Sequence, residues 1–390
     1  MKIFTKLENY IKQKIKILHA FVEQWRLKII DYLVSSITSY AREKKRRIND
    51  KINRSFGAKI AIDFGTANTM ISIAGGKFIL NEPTIAAIRY NGESMKILAI
   101  GDQAVELLSK NKDNIKAIRP LRFGSISNFF VAEYVIKKFI TKAVKQNKYL
   151  LFDSKAIVSI PTYMTLIEKK IIKQAVLKSG IKRVQLIEHQ MATALGIGLH
   201  VATPHASMII NIGGGTMGIF LISLNGIVLS HILSSAGHSM TELLVGLVRR
   251  KHGTIITEET AETAKIALSS IFPLSRELSL DVMGRDVARG QPKIATISSM
   301  EIRELFQNIF KQLGLAAGGI VSQIPPELSA DISELGIFVC GGGSKIKDID
   351  KFLTAHCKVR VQIAQDSTYA TLNGIWKIFE NSEIYTKLFM

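Results

Sequence analysis

Three stretches of this sequence join an apolar run to a glycine-rich turn carrying small hydroxyl or amide side chains. The first is Lys59-Ile-Ala-Ile-Asp-Phe-Gly-Thr-Ala-Asn-Thr69. Ile60 to Ile62 read as a buried strand that ends on Asp63. Gly65 lets the backbone approach a ligand, and successive N–H groups form an anion-binding nest to which Thr66, Asn68 and Thr69 add donors around Ala67. Asp63, at the strand end, is placed to hold a metal ion through water. Taken alone, this stretch is also what an ordinary hairpin with a glycine turn looks like. The second is Ser207-Met-Ile-Ile-Asn-Ile-Gly-Gly-Gly-Thr-Met-Gly218, whose return strand leads to the turn at Asn225-Gly226. It repeats the design, with Asn211 where the first copy has Asp63 and with Gly213, Gly214, Gly215 and Thr216 at the tip. The third is Gly336-Ile-Phe-Val-Cys-Gly-Gly-Gly-Ser-Lys345, a strand running through Gly341, Gly342, Gly343 and Ser344 into a helix whose N-terminus could face a ligand. One triple glycine is weak evidence. Three such turns, each directly after an apolar strand, point to two similar α/β domains facing one ligand.

The intervening chain supplies the elements that would hold these turns. Short strands flank Pro83, Asn91-Gly92 signals a turn, and helical patterns cover Ala104–Lys110 and Val131–Val144. Pro161 closes a strand from Ala156 to Ile160. A helix from Leu166 to Ser179 stops at Gly180, and a strand from Val184 to Ile187 leads into a helix that begins Glu188-His-Gln-Met191. Tyr149, Leu150, Leu151 and Phe152 form an apolar knot between a lysine-rich helix and the next strand. Burial against that strand and insertion into a membrane are both open to it.

The net charge of +20 is concentrated at the N-terminal end, where residues 1–56 carry 14 Lys and Arg against 5 Asp and Glu. Phe4, Leu7, Ile11, Ile15, Leu18, Val22, Trp25, Ile29 and Leu33 recur at intervals of three and four, and no Gly or Pro interrupts Met1–Ser55. That spacing predicts a long amphipathic helix. Its basic flanks and Trp25 suit an anionic membrane surface; pairing with another helix and folding back on the body are the other readings. The broad apolar face disfavours nucleic acid as the partner. Two cysteines, Cys340 and Cys357, are too few for a disulfide framework and are expected as packing residues in a reducing cytosol. No apolar run reaches transmembrane length.

The order Asp63-Phe-Gly-Thr-Ala-Asn-Thr, Gly213-Gly-Gly-Thr, Gly341-Gly-Gly-Ser resembles the actin, Hsp70 and sugar-kinase superfamily. The text between is similar to the MreB family of bacterial actins, at Asn81-Glu-Pro-Thr, Ala117-Ile-Arg-Pro, Val248 to Gly253 and Pro325-Pro-Glu-Leu-Ser-Ala-Asp-Ile-Ser-Glu334. The resemblance covers residues 58 to 376. It implies an α/β, two-domain actin-like ATPase fold with four subdomains and a central nucleotide cleft, here preceded by the amphipathic helix of residues 1–57. Domain I would span 58–201 with a small insertion at 83–130. Domain II would span 202–370 with an insertion at 241–317, and 371–390 would return to domain I. By the same resemblance, Asp63 with Gly65–Thr69 and Gly213–Thr216 would be the phosphate loops for ATP and Mg²⁺. Glu262 and Lys265 would touch ribose and adenine, and Gly341–Ser344 would line the adenosine side. The knot at Tyr149–Phe152 falls where these proteins have a membrane-inserting loop. The implied partners are further copies of the chain in a filament, the inner face of the cell membrane from the cytoplasmic side, and other MreB-like proteins. The implied role is support of cell shape.

The sequence departs from that pattern where water and metal are managed. Family members carry Glu-Glu-Pro-Met before the helix, the second Glu positioning water; here His189 stands at that place and Gln190 replaces the proline. Asn211 replaces the second-loop Asp, and Gly237-His238 stands for Gly-Asp. Two formal negative charges are lost around Asp63, which weakens attraction for a hydrated cation. The expectation is a chain that keeps ATP affinity and hydrolyses slowly or not at all, with His189 or the adjacent Glu188 as degenerate candidates for the catalytic position. An active cytoskeletal ATPase using either residue, and a non-polymerising regulator that co-assembles with a relative, are the alternatives. A sugar kinase or an Hsp70-type chaperone is disfavoured, because no sugar-binding acid pattern and no peptide-binding domain follow.

Overall fold

Lys59–Phe64 and Ser207–Ile212 each form the middle strand of a five-stranded sheet in the computed structural model. The structure describes residues 58–73, 77–91, 94–110, 114–147, 153–381 and 383–389. The predicted amphipathic helix with Phe4, Leu7, Ile11, Leu18 and Trp25, and the knot Tyr149–Phe152, lie outside the described residues.

Edge to edge, the first sheet is Lys77–Pro83, Asn68–Ile73, Lys59–Phe64, Lys155–Ile160 and Arg183–Glu188. The second is Gly226–Leu233, Met217–Ser223, Ser207–Ile212, Ile337–Cys340 and Val361–Ile363. In both, the first three strands follow one another antiparallel and the last two pair parallel. Parallel neighbours need crossover connections, which puts helices on the sheet faces and buries the strands on both sides. That is why the central strands read as unbroken apolar runs. Ile60, Ile62 and Phe64 point into the core of the first half, and Met208, Ile210 and Ile212 into that of the second. The alternate residues Ala61 and Ile209 meet in a third core shared by both sheets.

Two helices fill that shared core, His189–Gly196 and Ala370–Glu380. They cross on glycine: a Cβ on Gly196 would overlap the Ala370 carbonyl, and one on Gly374 would overlap the Ala192 carbonyl. Close approach of the two backbones is what sets Thr193 against Thr371, with their hydroxyls 3.0 Å apart.

Each half carries a small three-stranded sheet. One is Ser94–Ile100, Ala86–Asn91 and Ile115–Ile118 with the helix Gly101–Ser109; the other is Thr254–Ile255, Ser279–Asp286 and Pro292–Ser298. Both cysteines are buried, and burial pushes the Cys340 thiol up to about 12 and that of Cys357 to about 11, in line with packing roles. Among the described residues, no helix is long and apolar enough to cross a membrane.

Candidate functional site

The three glycine turns converge on one cleft of about 470 Å³, within the range of small-ligand sites. Strand register explains the convergence. Asp63 lies between Met70 and Ser159, and Asn211 lies between Gly218 and Cys340, so the two residues hold equivalent places in the two sheets. Both line the cleft.

The first turn is braced from behind by Thr84, the last residue of the Asn81-Glu-Pro-Thr run. Its hydroxyl donates to the Gly65 carbonyl at 2.8 Å, its N–H donates to the Ala67 carbonyl at 2.8 Å, and it shares a hydrogen bond with the Thr69 hydroxyl. The second turn is braced by the start of the helix Gly237–His252: the Gly237 N–H donates to the Gly213 carbonyl and the His238 N–H to that of Gly214. The tips then meet. A Cβ on Gly214 would fall 2.7 Å from the Ala67 Cβ, and one on Gly215 2.6 Å from the Thr66 hydroxyl. Glycine is required here because the two turns approach too closely to leave room for a Cβ. Gly341, at φ 82°, sits against Asn211 Oδ1 and the Ile212 carbonyl, which leaves no room for a side chain.

Asp63 is 4% exposed and is held from two sides. The Ser159 hydroxyl donates to its Oδ1 at 2.5 Å, and His189 Nδ1 stands 3.2 Å from the same oxygen. His189 Nε2 is 3.4 Å from the Thr371 hydroxyl. Both ring nitrogens are thus met by protein groups, so the imidazole ties the first strand to the helix Ala370–Glu380 rather than offering a free nitrogen to water. Among the described residues, no cluster of three or more His, Cys, Asp or Glu side chains converges to hold a metal. Asp63 is thus the carboxylate that could meet a metal ion through water, and Asn211 adds no charge beside it.

Deeper in the second half, Lys265 uses its ammonium on the protein. It donates to the Gly237 carbonyl at 2.8 Å, to Glu262 Oε2 at 2.6 Å and to the Thr241 hydroxyl at 3.0 Å. Burial lowers its pKa, and the nearby Glu262 carboxylate offsets part of that. His238 lies between the two tips, with Nε2 3.4 Å from the Thr66 carbonyl. Burial, reinforced by the Arg119 charge, pushes its pKa down to about 4, so the ring is neutral at pH 7.

Most of the residues singled out from sequence line the cleft: Asp63, Gly65–Asn68, His189, Asn211, Gly213–Thr216, Glu262, Lys265 and Gly341–Gly343. Three do not. Thr69 is spent on Thr84. Ser344 is fully buried and braces its own turn, donating to the Gly341 carbonyl and sharing a hydrogen bond with the Ser367 hydroxyl. Glu188 precedes the helix and lies outside the cleft lining, its side chain making no capping hydrogen bond; burial raises its pKa and Lys169 partly offsets that. The expected helix after the third turn is also displaced. Gly342–Lys345 is a single 3₁₀ turn, and the α-helix begins only at Ile349, so the glycines present no α-helix N-terminus. Sequence reasoning missed the segment Ser367, Thr368 and Thr371, which closes the cleft from the C-terminal end. The only signal there is the polar run Asp366-Ser-Thr before a helix.

Comparison with known proteins agrees with this architecture. The family model described as MreB/Mbl protein matches residues 57–387. The cell shape-determining protein MreB of Escherichia coli K12 is 35% identical over 337 residues, covering 86% of this chain and 97% of that protein. The cell shape-determining protein Mbl of Bacillus subtilis 168 is 35% identical over 328 residues, covering 84% and 97%. Among solved structures, MreB5 of Spiroplasma citri bound to AMPPNP superposes with a TM-score of 0.76 at 29% identity, covering 85% of this chain and 98% of that one. Glycine turns at equivalent places in two like sheets, one cleft between them and a match over the whole described body place the chain in the MreB/Mbl family, with the actin-like two-domain fold.

Proposed function

We propose that the chain is a cytoskeletal filament subunit that binds ATP in the cleft, hydrolyses it slowly, and attaches to the inner face of the membrane in support of cell shape. Its relatives are named as cell shape-determining proteins, and MreB5 of Spiroplasma citri is known with AMPPNP and with ADP bound. The observation that carries the reading is the meeting of three glycine turns around one cavity. Backbone N–H groups along the Gly65–Asn68 and Gly213–Thr216 turns take the phosphates, apart from that of Gly213, which is spent on the Thr216 carbonyl. Glu262 and the Gly341–Gly343 turn face the nucleoside. Magnesium would enter with the ATP phosphates, and Asp63 is placed to meet it through water. Slow turnover follows from the side chains around Asp63. His189 spends its ring on Asp63 and Thr371, Asn211 carries no charge, and Glu188 stands outside the cleft, so no carboxylate is free to take a proton from water. Titration with a fluorescent ATP analogue, single-turnover hydrolysis, and pelleting with and without anionic vesicles test the three parts. No nucleotide binding at millimolar ATP would refute the first, phosphate release as fast as in the relatives the second, and no sedimentation under any condition the third.

A further inference from the structure

The nucleoside end of the cleft is closed by two segments that the backbone ties together. Ser270, just past the helix Glu258–Leu268, pairs with Lys347, just past the turn Gly342–Lys345, and the Ile271 N–H donates to the Lys347 carbonyl at 3.1 Å. Each segment turns one side chain of note to the cavity. Ile266 is 74% exposed and lines the cleft, as Ile346 does, which makes an apolar shelf. Lys345 is exposed and lines the cleft as well. Two lysines and no arginine line it among the described residues. Lys265 has its three hydrogens on Gly237, Glu262 and Thr241. The Lys345 ammonium has no hydrogen-bond or ion-pair partner among the described residues. The middle glycine of the turn, Gly342, faces open space. A Cβ there would meet nothing within 4 Å, whereas one on Gly341 or Gly343 would strike Asn211 or Ile212. Room for a planar ring is thus left beside an uncommitted donor.

We infer that Lys345 reads the base of the bound nucleotide and makes the cleft favour guanine over adenine; this rests on the nucleotide reading above and names the base at that same site. An ammonium is a donor with no acceptor. The guanine edge offers two adjacent acceptors, O6 and N7, and lysine is a common partner of that pair. Adenine keeps N7 but carries an amino group where guanine has O6, so a donor meets a donor. Glu262, the carboxylate at this end, is fixed through Oε2 by Lys265 and Thr241 and leaves Oε1 for the ribose hydroxyls. Ile266 and Ile346 pack on the ring of either purine. ATP therefore binds in the same place with the poorer edge contact, and the grip on the phosphates stays with the other two turns.

The test is competition against the fluorescent ATP analogue on the full chain, with unlabelled ATP, GTP and ITP. ITP keeps O6 and N7 and lacks the guanine 2-amino group. GTP and ITP should displace the analogue at about tenfold lower concentration than ATP. Lys345→Met keeps the length and removes the ammonium, and should bring that ratio to about one. The lost charge weakens every triphosphate alike, so the ratio is the readout and not the absolute affinity. Lys345→Gln should tilt the ratio toward ATP, since an amide pairs with adenine N6 and N7. An unmutated chain that takes ATP as well as GTP overturns the inference. So does a preference for GTP that survives in Lys345→Met or, should that variant fail to fold, in Lys345→Gln. GTP ahead of ATP with ITP no better than ATP overturns it too, because the 2-amino group and not O6 would then be read. An unmutated chain that does not bind the analogue removes the nucleotide reading itself, and that is seen before any base is compared.

Discussion

The two glycine hairpins are built alike and armed differently. Asp63 and Asn211 occupy the same register in sheets of the same strand order, and both turns line one cleft. In the first half the strand-end residue is an acid held by side chains, Ser159 and His189. In the second it is an amide packed against the bare backbone of Gly341. On the proposed reading, the shared backbone geometry grips phosphates and needs no particular side chain. Hydrolysis needs specific acids and bases, and in those the halves have diverged. A repeated fold can therefore keep affinity while losing rate.

The firmest way to break the shared part is at the tips. Gly215→Val drives a branched side chain into Thr66 and parts the two turns. ATP affinity should fall by roughly 100-fold, or about 3 kcal/mol, read by titration with a fluorescent analogue. Retained affinity would mean that the phosphates do not lie between the turns.

His238 joins the tips, and its acid response sharpens the comparison. Its folded pKa, about 4, lies below its ordinary 6.5, so as pH falls the unfolded chain binds the proton first. The stability it lends is complete above pH 6.5 and is lost as pH drops toward 4. Between pH 7 and pH 5 the loss is about 2 kcal/mol. Glu301 works in a separate window. Burial would raise its carboxyl, but Lys251 and Ser298 outweigh that and hold it at about 2, so its share is lost only between pH 4.5 and 2. Urea midpoints of the unmutated chain should therefore fall from pH 7 to pH 5, and those of His238→Gln should fall by less.

How far the sequence could be read follows from these same residues. The equivalence of Asp63 and Asn211 was legible because each closes a local apolar strand, and strand register follows from local alternation. The turn of His189 onto Asp63 was not, since the two are 126 residues apart and meet only when the helix docks. The same holds for Thr371, 182 residues from His189. Gln190 stood out in sequence only as a missing proline; the unpaired, water-inaccessible state of its oxygen arises only once the helix His189–Gly196 is packed in place. The 3₁₀ turn at Gly342 was hidden because triple glycine permits either course of the backbone.

Restoring charge tests the divergent part. His189→Glu with Asn211→Asp would put three carboxylates in the lining of one cleft. Without a cation such groups repel, so the double variant should melt lower in EDTA than in magnesium, a dependence the unmutated chain should lack. With magnesium, single-turnover hydrolysis should rise about tenfold, since a carboxylate can serve as a base. A melting point indifferent to magnesium would place the two substituted side chains away from Asp63.

The smallest effect separates two arginines that reach across the cleft from the first half. Arg122 pairs with Glu242 at 3.0 Å, and both side chains are more than half exposed. Arg119 pairs with Glu258 at 3.1 Å, is 21% exposed, and its charge helps hold the His238 pKa down. Exposed ion pairs contribute roughly 0–1 kcal/mol, so Arg122→Gln should barely move the urea midpoint at any pH. Arg119→Gln should cost similarly little at pH 7, but removing a positive charge near His238 raises its folded pKa toward 6.5. The drop from pH 7 to pH 5 should then shrink by a few tenths of a kcal/mol in Arg119→Gln and stay unchanged in Arg122→Gln. Equal slopes for the two variants would mean that His238 feels only its own burial, and that the first half acts on the second through packed backbone and not through charge.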